Sequence, residues 1–180
     1  MDTLTTKEVE DSVSAFLAEN RITLTENQHA ALVRTCEKAW NQQNRLFAPL
    51  LHEMIFADVE GAGVFREQVL INSRQEERAY PRSDIVPRLM VQVFRPTYQQ
   101  VYDRDLTEPN LSIEEACWRV GALLRSIHPF LVGNRVLSFV IENQLRRRHG
   151  LPVATLLRPK PVFDFYRNVL FKPYAKKMMR

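Results

Sequence analysis

Glycine and cysteine are both scarce in this chain. Only 5 glycines occur in 180 residues, well below the usual rate of about 7%. Because turns of unusual geometry depend on glycine, its scarcity predicts a mostly helical fold with few tight turns. The two cysteines, Cys36 and Cys117, are too few for a disulfide scaffold or for a zinc site built from cysteine alone.

Long apolar runs are also missing. No stretch approaches the roughly 18 apolar residues of a membrane-spanning helix, and the first residues lack the basic and apolar regions of a signal peptide. Hydrophobic residues make up 45% of the chain and charged residues 26%, which argues against global disorder. We expect one domain over residues 1–180 without a transmembrane segment, either cytoplasmic or exported without a classical signal peptide.

The net charge of +4 is unevenly distributed along the chain. Residues 140–180 carry ten lysines and arginines against two acids, whereas residues 1–139 have a net charge of −4. A basic end can face nucleic acid, an anionic surface or an acidic protein. We favour a solvated helix face, because the arginines at 146–148 fall at a predicted helix C-terminus, where cations suit the helix dipole. A basic tail that binds nucleic acid or a membrane surface is the weaker hypothesis.

Apolar residues recur at helical spacing along most of the chain. The pattern predicts helices over residues 6–19, 25–54, 87–102, 113–127, 134–149 and 155–171. Pro49 should kink the second of these or start a new helix, and Pro96 should kink or break the third. Gly61 and Gly63 predict a turn that leads into a short β-hairpin over 64–71.

The loop between the fourth and fifth predicted helices carries the clearest chemical pattern. It places His128 at one helix end and Gly133-Asn134 at the next helix start, where unpaired N–H groups and the helix dipole favour an anion. Arg135 adds a positive charge suited to phosphate, and a histidine beside a phosphate can act as a general base. The alternative is a purely structural helix–loop–helix corner in which His128 caps a carbonyl.

These residues resemble the signature of a known family. His128-Pro129-Phe130, two residues, then Gly133-Asn134 and an arginine resemble the H-P-F-x-D/E-G-N-G-R-x-x-R motif of the Fic (Fic/Doc, Fido-fold) family. The resemblance covers residues 50–154. It includes the Leu-His-Glu-Met-Ile-Phe segment at 51–56 and the Gly-Ala-Gly-Val-Phe-Arg turn at 61–66. Residues 1–45 would form N-terminal helices, and 155–180 a basic C-terminal helix or tail.

The resemblance implies a Fic-like helical bundle with a small β-hairpin flap. It also implies an enzyme that uses ATP to transfer AMP, or a related phosphate-containing group, to a Ser, Thr or Tyr hydroxyl of a target protein. In that scheme His128 is the catalytic base, and the remaining roles are phosphate binding by Gly133, Asn134 and Arg135, motif support by Pro129 and Phe130, and target docking by the flap residues Val69, Leu70 and Ile71. The context implied is a bacterial toxin or a secreted effector, with an antitoxin-like or regulatory partner as an open question.

Several positions depart from the family pattern. Val132 stands where the family has its acidic Mg²⁺ ligand, and the glycine between the asparagine and the arginine is missing. With a one-residue deletion, Arg135 fills the first arginine position and Ser138 replaces the second; without it, Val136 and Phe139 replace the two arginines. Losing one electrostatic stabiliser commonly costs about 10²–10³-fold in rate. Two hypotheses therefore stay open: an active transferase, or an inactive Fic fold that binds a protein partner.

Overall fold

The structure, a computed structural model, describes residues 2–42, 45, 47–67 and 80–158. These residues are mostly helical and include no β-strand, which confirms the expected mostly α fold class. The expected flap residues Val69, Leu70 and Ile71 lie outside the described residues. The helices are α1 (Thr6–Glu19), α2 (Glu26–Gln42), α3 (Ala48–Ile55), α4 (Val86–Leu89), α5 (Arg95–Asp103), α6 (Ile113–Ile127) and α7 (Asn134–Arg148).

Helix α7 is the centre of the bundle. It packs against α2, α3, α5 and α6, and 12 of its 15 residues are buried. Six of its polar residues are buried as well, and several of these have partners. The Gln144 side chain, for example, accepts a hydrogen bond of 2.9 Å from the hydroxyl of Tyr98. A helix enclosed on this many sides is fixed by the core, so the loop at its N-terminus has a rigid support.

Residues 151–158 run back along α7 and α1 in an irregular conformation. Asn143 pairs with the backbone of Ala154 through two hydrogen bonds of 2.9 and 2.7 Å, and Asn20 bonds to the carbonyl of Thr155 and the N–H of Leu157. Because these amides occupy backbone groups that a helix would pair internally, residues 155–158 do not begin the helix expected over 155–171. The rest of that segment lies outside the described residues.

A proline divides the second predicted helix as expected, and another lies beside an irregular turn of the third. Helix α2 ends at Gln42 and α3 begins at Ala48, with Pro49 in its first turn. A π-helical stretch, Met90–Phe94, joins α4 to α5 directly before Pro96. Proline lacks the N–H of a helical bond and crowds the preceding turn, which accounts for this irregularity. Among the described residues, no helix has the length and apolar content needed to cross a membrane.

Candidate functional site

The loop from α6 to α7 reverses the direction of the chain, and a residue with left-handed backbone conformation stands at each end of it. His128 ends α6 with φ 51° and ψ 60°, and Gly133 precedes α7 with φ 75°. Pro129 follows His128 and has no N–H to continue the helix. The predicted helix limits on both sides of this loop are confirmed. The loop therefore brings His128 and the first turn of α7 to the same end of the bundle.

Asn134 holds the loop in this shape. Its side-chain oxygen accepts from the N–H of Phe130 at 3.1 Å, and its side-chain nitrogen donates to the Phe130 carbonyl at 2.7 Å. Asn134 is 3% exposed and Phe130 fully buried. The side chain that was expected to bind phosphate is thus engaged in supporting the loop. What Asn134 offers to a ligand is the backbone N–H in the first turn of α7.

His52, on α3, is a second support that the sequence did not single out. Its Nδ1 accepts from the N–H of Gly63 at 2.9 Å, so its Nε2 is left to donate to the carbonyl of Val132 at 3.2 Å. The ring also stacks on Phe130 with centroids 4.2 Å apart. Burial lowers the pKa of His52, which keeps the ring neutral. One imidazole therefore links α3, the glycine turn at 61–63 and the loop between α6 and α7, residues 128–133, which we call the motif loop.

A cleft of about 490 Å³ opens at the N-terminus of α7. No side chain caps this helix end, so the N–H groups of its first turn face outward without an intrahelical partner. Its lining comes from the α1–α2 connection, from the end of α3, and from the motif loop, and includes Arg21, Phe56, His128, residues 131–133, Asn134 and Arg135. The structure thus places His128, Gly133, Asn134 and Arg135 in one cleft, with Pro129 and Phe130 buried beneath it.

The cleft is positively charged. Arg21 and Arg135 line it, and none of the described lining residues is a carboxylate. Arg135 donates one hydrogen bond of 2.7 Å to the carbonyl of Asn20, and a guanidinium has further N–H groups available for a second acceptor. Positive side chains beside an uncapped helix N-terminus are the arrangement that binds phosphate-type anions in proteins.

His128 borders the cleft as a neutral base. Its ring packs against that of Tyr80, with centroids 4.1 Å apart. Burial, and then the nearby charge of Arg66, lower the pKa of His128 to about 4, while a hydrogen bond to the backbone of Arg125 opposes this shift. His128 therefore makes the backbone bond expected of a structural histidine and also lines the cleft expected of a functional one.

Val132 is exposed at the rim of the cleft, at the position where the resembled family has an acidic residue. Among the described residues, no three His, Cys, Asp or Glu side chains cluster as a metal site. A hard cation such as Mg²⁺ requires oxygen ligands, and none of the described residues that line this cleft has a carboxylate. The described side chains do not fit the Mg²⁺ that the resemblance implies, so we derive no step through it.

A second cleft of about 360 Å³ lies on the other side of residues 131–132. Its lining includes the glycine turn and residues 64–67, from which the chain enters the region expected to form the flap. Val64 is 60% exposed, Leu131 45% and Val132 43%. These three side chains give the second cleft an apolar rim, which suits contact with another protein.

Only the geometry of the two clefts and the resemblance of the motif loop bear on what these clefts bind. No family model matches the sequence, and no curated protein matches it either. The features that bear on function are therefore the cleft at α7, the loop that shapes it, and the chemistry of the side chains around it.

Proposed function

We propose that this protein is a Fic-like transferase. It binds the phosphates of ATP or a related nucleotide at the N-terminus of α7 and transfers a phosphate-containing group, such as AMP, to a Ser, Thr or Tyr hydroxyl of a target protein. The observation that carries the proposal is the coincidence, in one cleft, of an uncapped helix N-terminus, two arginines and His128. The resemblance of the motif loop supports it.

The proposed reaction requires a group that can accept a proton. The hydroxyl oxygen of the target attacks the α-phosphorus of the nucleotide, the bond from that phosphorus to the departing pyrophosphate breaks, and the hydroxyl proton passes to His128. Because the pKa of His128 is about 4 in the free protein, the ring is neutral at pH 7 but a weak base. A bound phosphate adds negative charge beside the ring, which raises its pKa and makes it a better base.

The biological context that we propose follows the resemblance: a bacterial toxin or an effector that acts on a host-cell protein. The target segment would dock beside the second cleft, whose apolar rim Val64, Leu131 and Val132 is exposed. If the protein is a toxin, the proposal also includes a second protein that binds it as a regulator or antitoxin.

The test is a search for a covalent adduct. The full chain is incubated with candidate target proteins and ATP labelled in the α-phosphate, with GTP, CTP and UTP in parallel arms, and labelled proteins are identified by mass spectrometry. We expect an adduct with the native protein, its loss in His128→Ala, and its retention in His29→Ala, a histidine that does not line the cleft. An adduct that persists in His128→Ala contradicts the proposed base.

A second function, a catalytically inactive protein-binding module, is favoured by one observation. Val132 replaces the acidic residue of the motif and is exposed at the rim between the two clefts. In this case the native chain forms no adduct with any of the four nucleotides. Val132→Asp combined with a glycine inserted between Asn134 and Arg135 would then create labelling, because the acidic residue and the glycine of the motif are restored and only the second arginine, replaced by Ser138, is still missing. An adduct formed by the native chain contradicts this second function.

A further inference from the structure

Arg66 is buried beneath the motif loop, and it bonds both to the backbone of that loop and to the backbone of Pro81. It is 3% exposed. Its Nε donates to the carbonyl of His128 at 2.7 Å, its backbone N–H donates to the carbonyl of Pro129 at 2.9 Å, and its Nη2 donates to the carbonyl of Pro81. Three segments that are distant in sequence are therefore joined at one arginine.

We propose that Arg66 is a positioning residue for His128: it fixes the backbone that carries the imidazole and fixes the segment that carries the stacking ring of Tyr80. This inference rests on the proposed role of His128 as a base. It adds to that role a residue that does not line the cleft at α7, although it lines the second cleft, and that acts on the reaction through the position of His128.

The backbone of His128 needs such a support. Its φ of 51° is uncommon for a residue with a side chain, and strained residues persist when their surroundings hold them from several directions. Arg66 bonds to the two consecutive carbonyls that follow this φ, those of His128 and Pro129. These two bonds define the direction in which the His128 side chain leaves the backbone.

The same arginine also places the ring that covers His128. Tyr80 packs against the imidazole at 4.1 Å and directly precedes Pro81, whose carbonyl accepts from Arg66. An arginine can make these bonds together because its N–H groups form a fixed planar fork. A lysine has a single ammonium group and cannot reproduce this geometry.

The charge of Arg66 acts on the imidazole as well. The groups that face or border His128 are the guanidinium of Arg66, the phenol of Tyr80, the backbone of Arg125 and, across the cleft, Arg21 and Arg135. None of the described residues that line the cleft is a carboxylate that could offset this positive charge. Burial and the charge of Arg66 both disfavour a proton on His128, which leaves a ring nitrogen free to accept one.

The experiment is an NMR titration of the full chain labelled in its histidine rings, with His128 assigned by comparison with His128→Ala. Arg66→Gln removes the charge but keeps N–H donors, and Arg66→Lys keeps the charge but loses the fork. The control is Arg146→Gln. Arg146 is 4% exposed and also bonds to a backbone carbonyl, that of Pro152, but it lies near the other end of α7.

We expect the pKa of His128 to rise in Arg66→Gln and to stay at the native value in Arg146→Gln. In Arg66→Lys we expect it to stay low, but with a second set of His128 ring signals, because the ring is no longer held in one orientation. An unchanged pKa in Arg66→Gln, or an equal rise in Arg146→Gln, overturns the inference. If Arg66→Gln does not fold, a single native-like set of His128 signals in Arg66→Lys overturns it.

The titration uses no nucleotide and no target protein. A failure to detect group transfer would therefore count against the proposed function and leave this result unchanged. Conversely, an adduct formed by the native chain together with an unchanged His128 titration in Arg66→Gln would support the function and overturn the role of Arg66.

Discussion

The ring of Phe56 packs directly on Gly133. A Cβ added to this glycine would lie 2.2 Å from Cε2 of the phenylalanine ring, and the glycine has a φ of +75°. Phe56 directly follows α3, and both residues line the cleft at the N-terminus of α7. This contact therefore joins α3 to the start of α7 and forms part of the cleft wall.

Gly133→Ala should destabilise the protein more than an ordinary glycine replacement. The new methyl group meets Phe56, and a side chain at positive φ costs about 1 kcal/mol or more by itself. Gly150→Ala is the matched control, since Gly150 has a φ of +79° and no atom within 4 Å of the added Cβ. Urea unfolding measures both variants. Equal losses of unfolding free energy would show that Phe56 moves aside freely, contrary to a rigid cleft wall.

Asn134→Ala should loosen the motif loop. It removes both hydrogen bonds to the backbone of Phe130 and leaves two buried polar groups unsatisfied, at a cost of about 2–4 kcal/mol. Two-dimensional NMR of the folded variant should show shifts concentrated at residues 128–136.

The control for this variant is Asn143→Ala. Asn143 lies on the same helix as Asn134, is 1% exposed, and pairs with the backbone of Ala154, which lies beyond that helix. We expect a similar loss of stability from it, with the signals of the motif loop unchanged. Loop signals that change equally in both variants would contradict a local role for Asn134.

Glu142→Gln should stabilise the protein at neutral and alkaline pH. Burial raises the pKa of Glu142 to about 7, so between its unfolded value near 4.5 and 7 the folded state binds more protons than the unfolded state. Stability then falls as the pH rises through this window, by an amount on the order of 1–3 kcal/mol. Glutamine removes this loss, because it is neutral at every pH.

Thermal unfolding from pH 4 to 8.5 measures the difference between Glu142→Gln and the native chain. The advantage of the variant should grow above pH 4.5 and level off above pH 7. Glu10→Gln, on the exposed face of α1, controls for the loss of one negative charge. A difference that does not vary with pH would contradict the buried, protonatable state of Glu142.

Val132→Asp should make anion binding depend on Mg²⁺. Without the cation, the new carboxylate at the cleft rim repels the phosphates and weakens pyrophosphate binding. With Mg²⁺, the carboxylate and the phosphates can share the cation, and binding should recover or exceed that of the native chain. Calorimetric titration with pyrophosphate, with and without Mg²⁺, measures both effects. Val132→Asn is the uncharged control. A Mg²⁺ response in Val132→Asn as large as that in Val132→Asp would contradict the role of the carboxylate.

The sequence predicts the helices whose apolar residues recur on one face of the helix. Helix α1 has the predicted limits, and Val9, Val13 and Phe16 on its stripe are fully buried. The end of α6 is also predicted, because Pro129 acts on its immediate neighbour. The four predicted site residues that line the cleft, His128, Gly133, Asn134 and Arg135, come from one short segment, so the sequence shows them together.

Features made by distant residues are not predictable in this way. The burial of polar side chains on α7, such as Ser138 and Glu142, comes from neighbours on several other helices. The role of His52 depends on Gly63 and on Val132, and no spacing pattern in the sequence marks it. Arg21 joins the cleft because α1 happens to end beside α7.

Binding of pyrophosphate to the cleft tests the central claim most directly. Backbone amide signals of the full chain are followed by NMR while pyrophosphate is added, and the titration is repeated with Arg135→Gln. We predict saturable shifts at Gly133, Asn134 and Arg135, weaker binding in the variant, and a rise in the pKa of His128 when the site is filled. Shifts confined to other basic surfaces, or no saturable shift at these three residues, would contradict the claim that the start of α7 is a phosphate site.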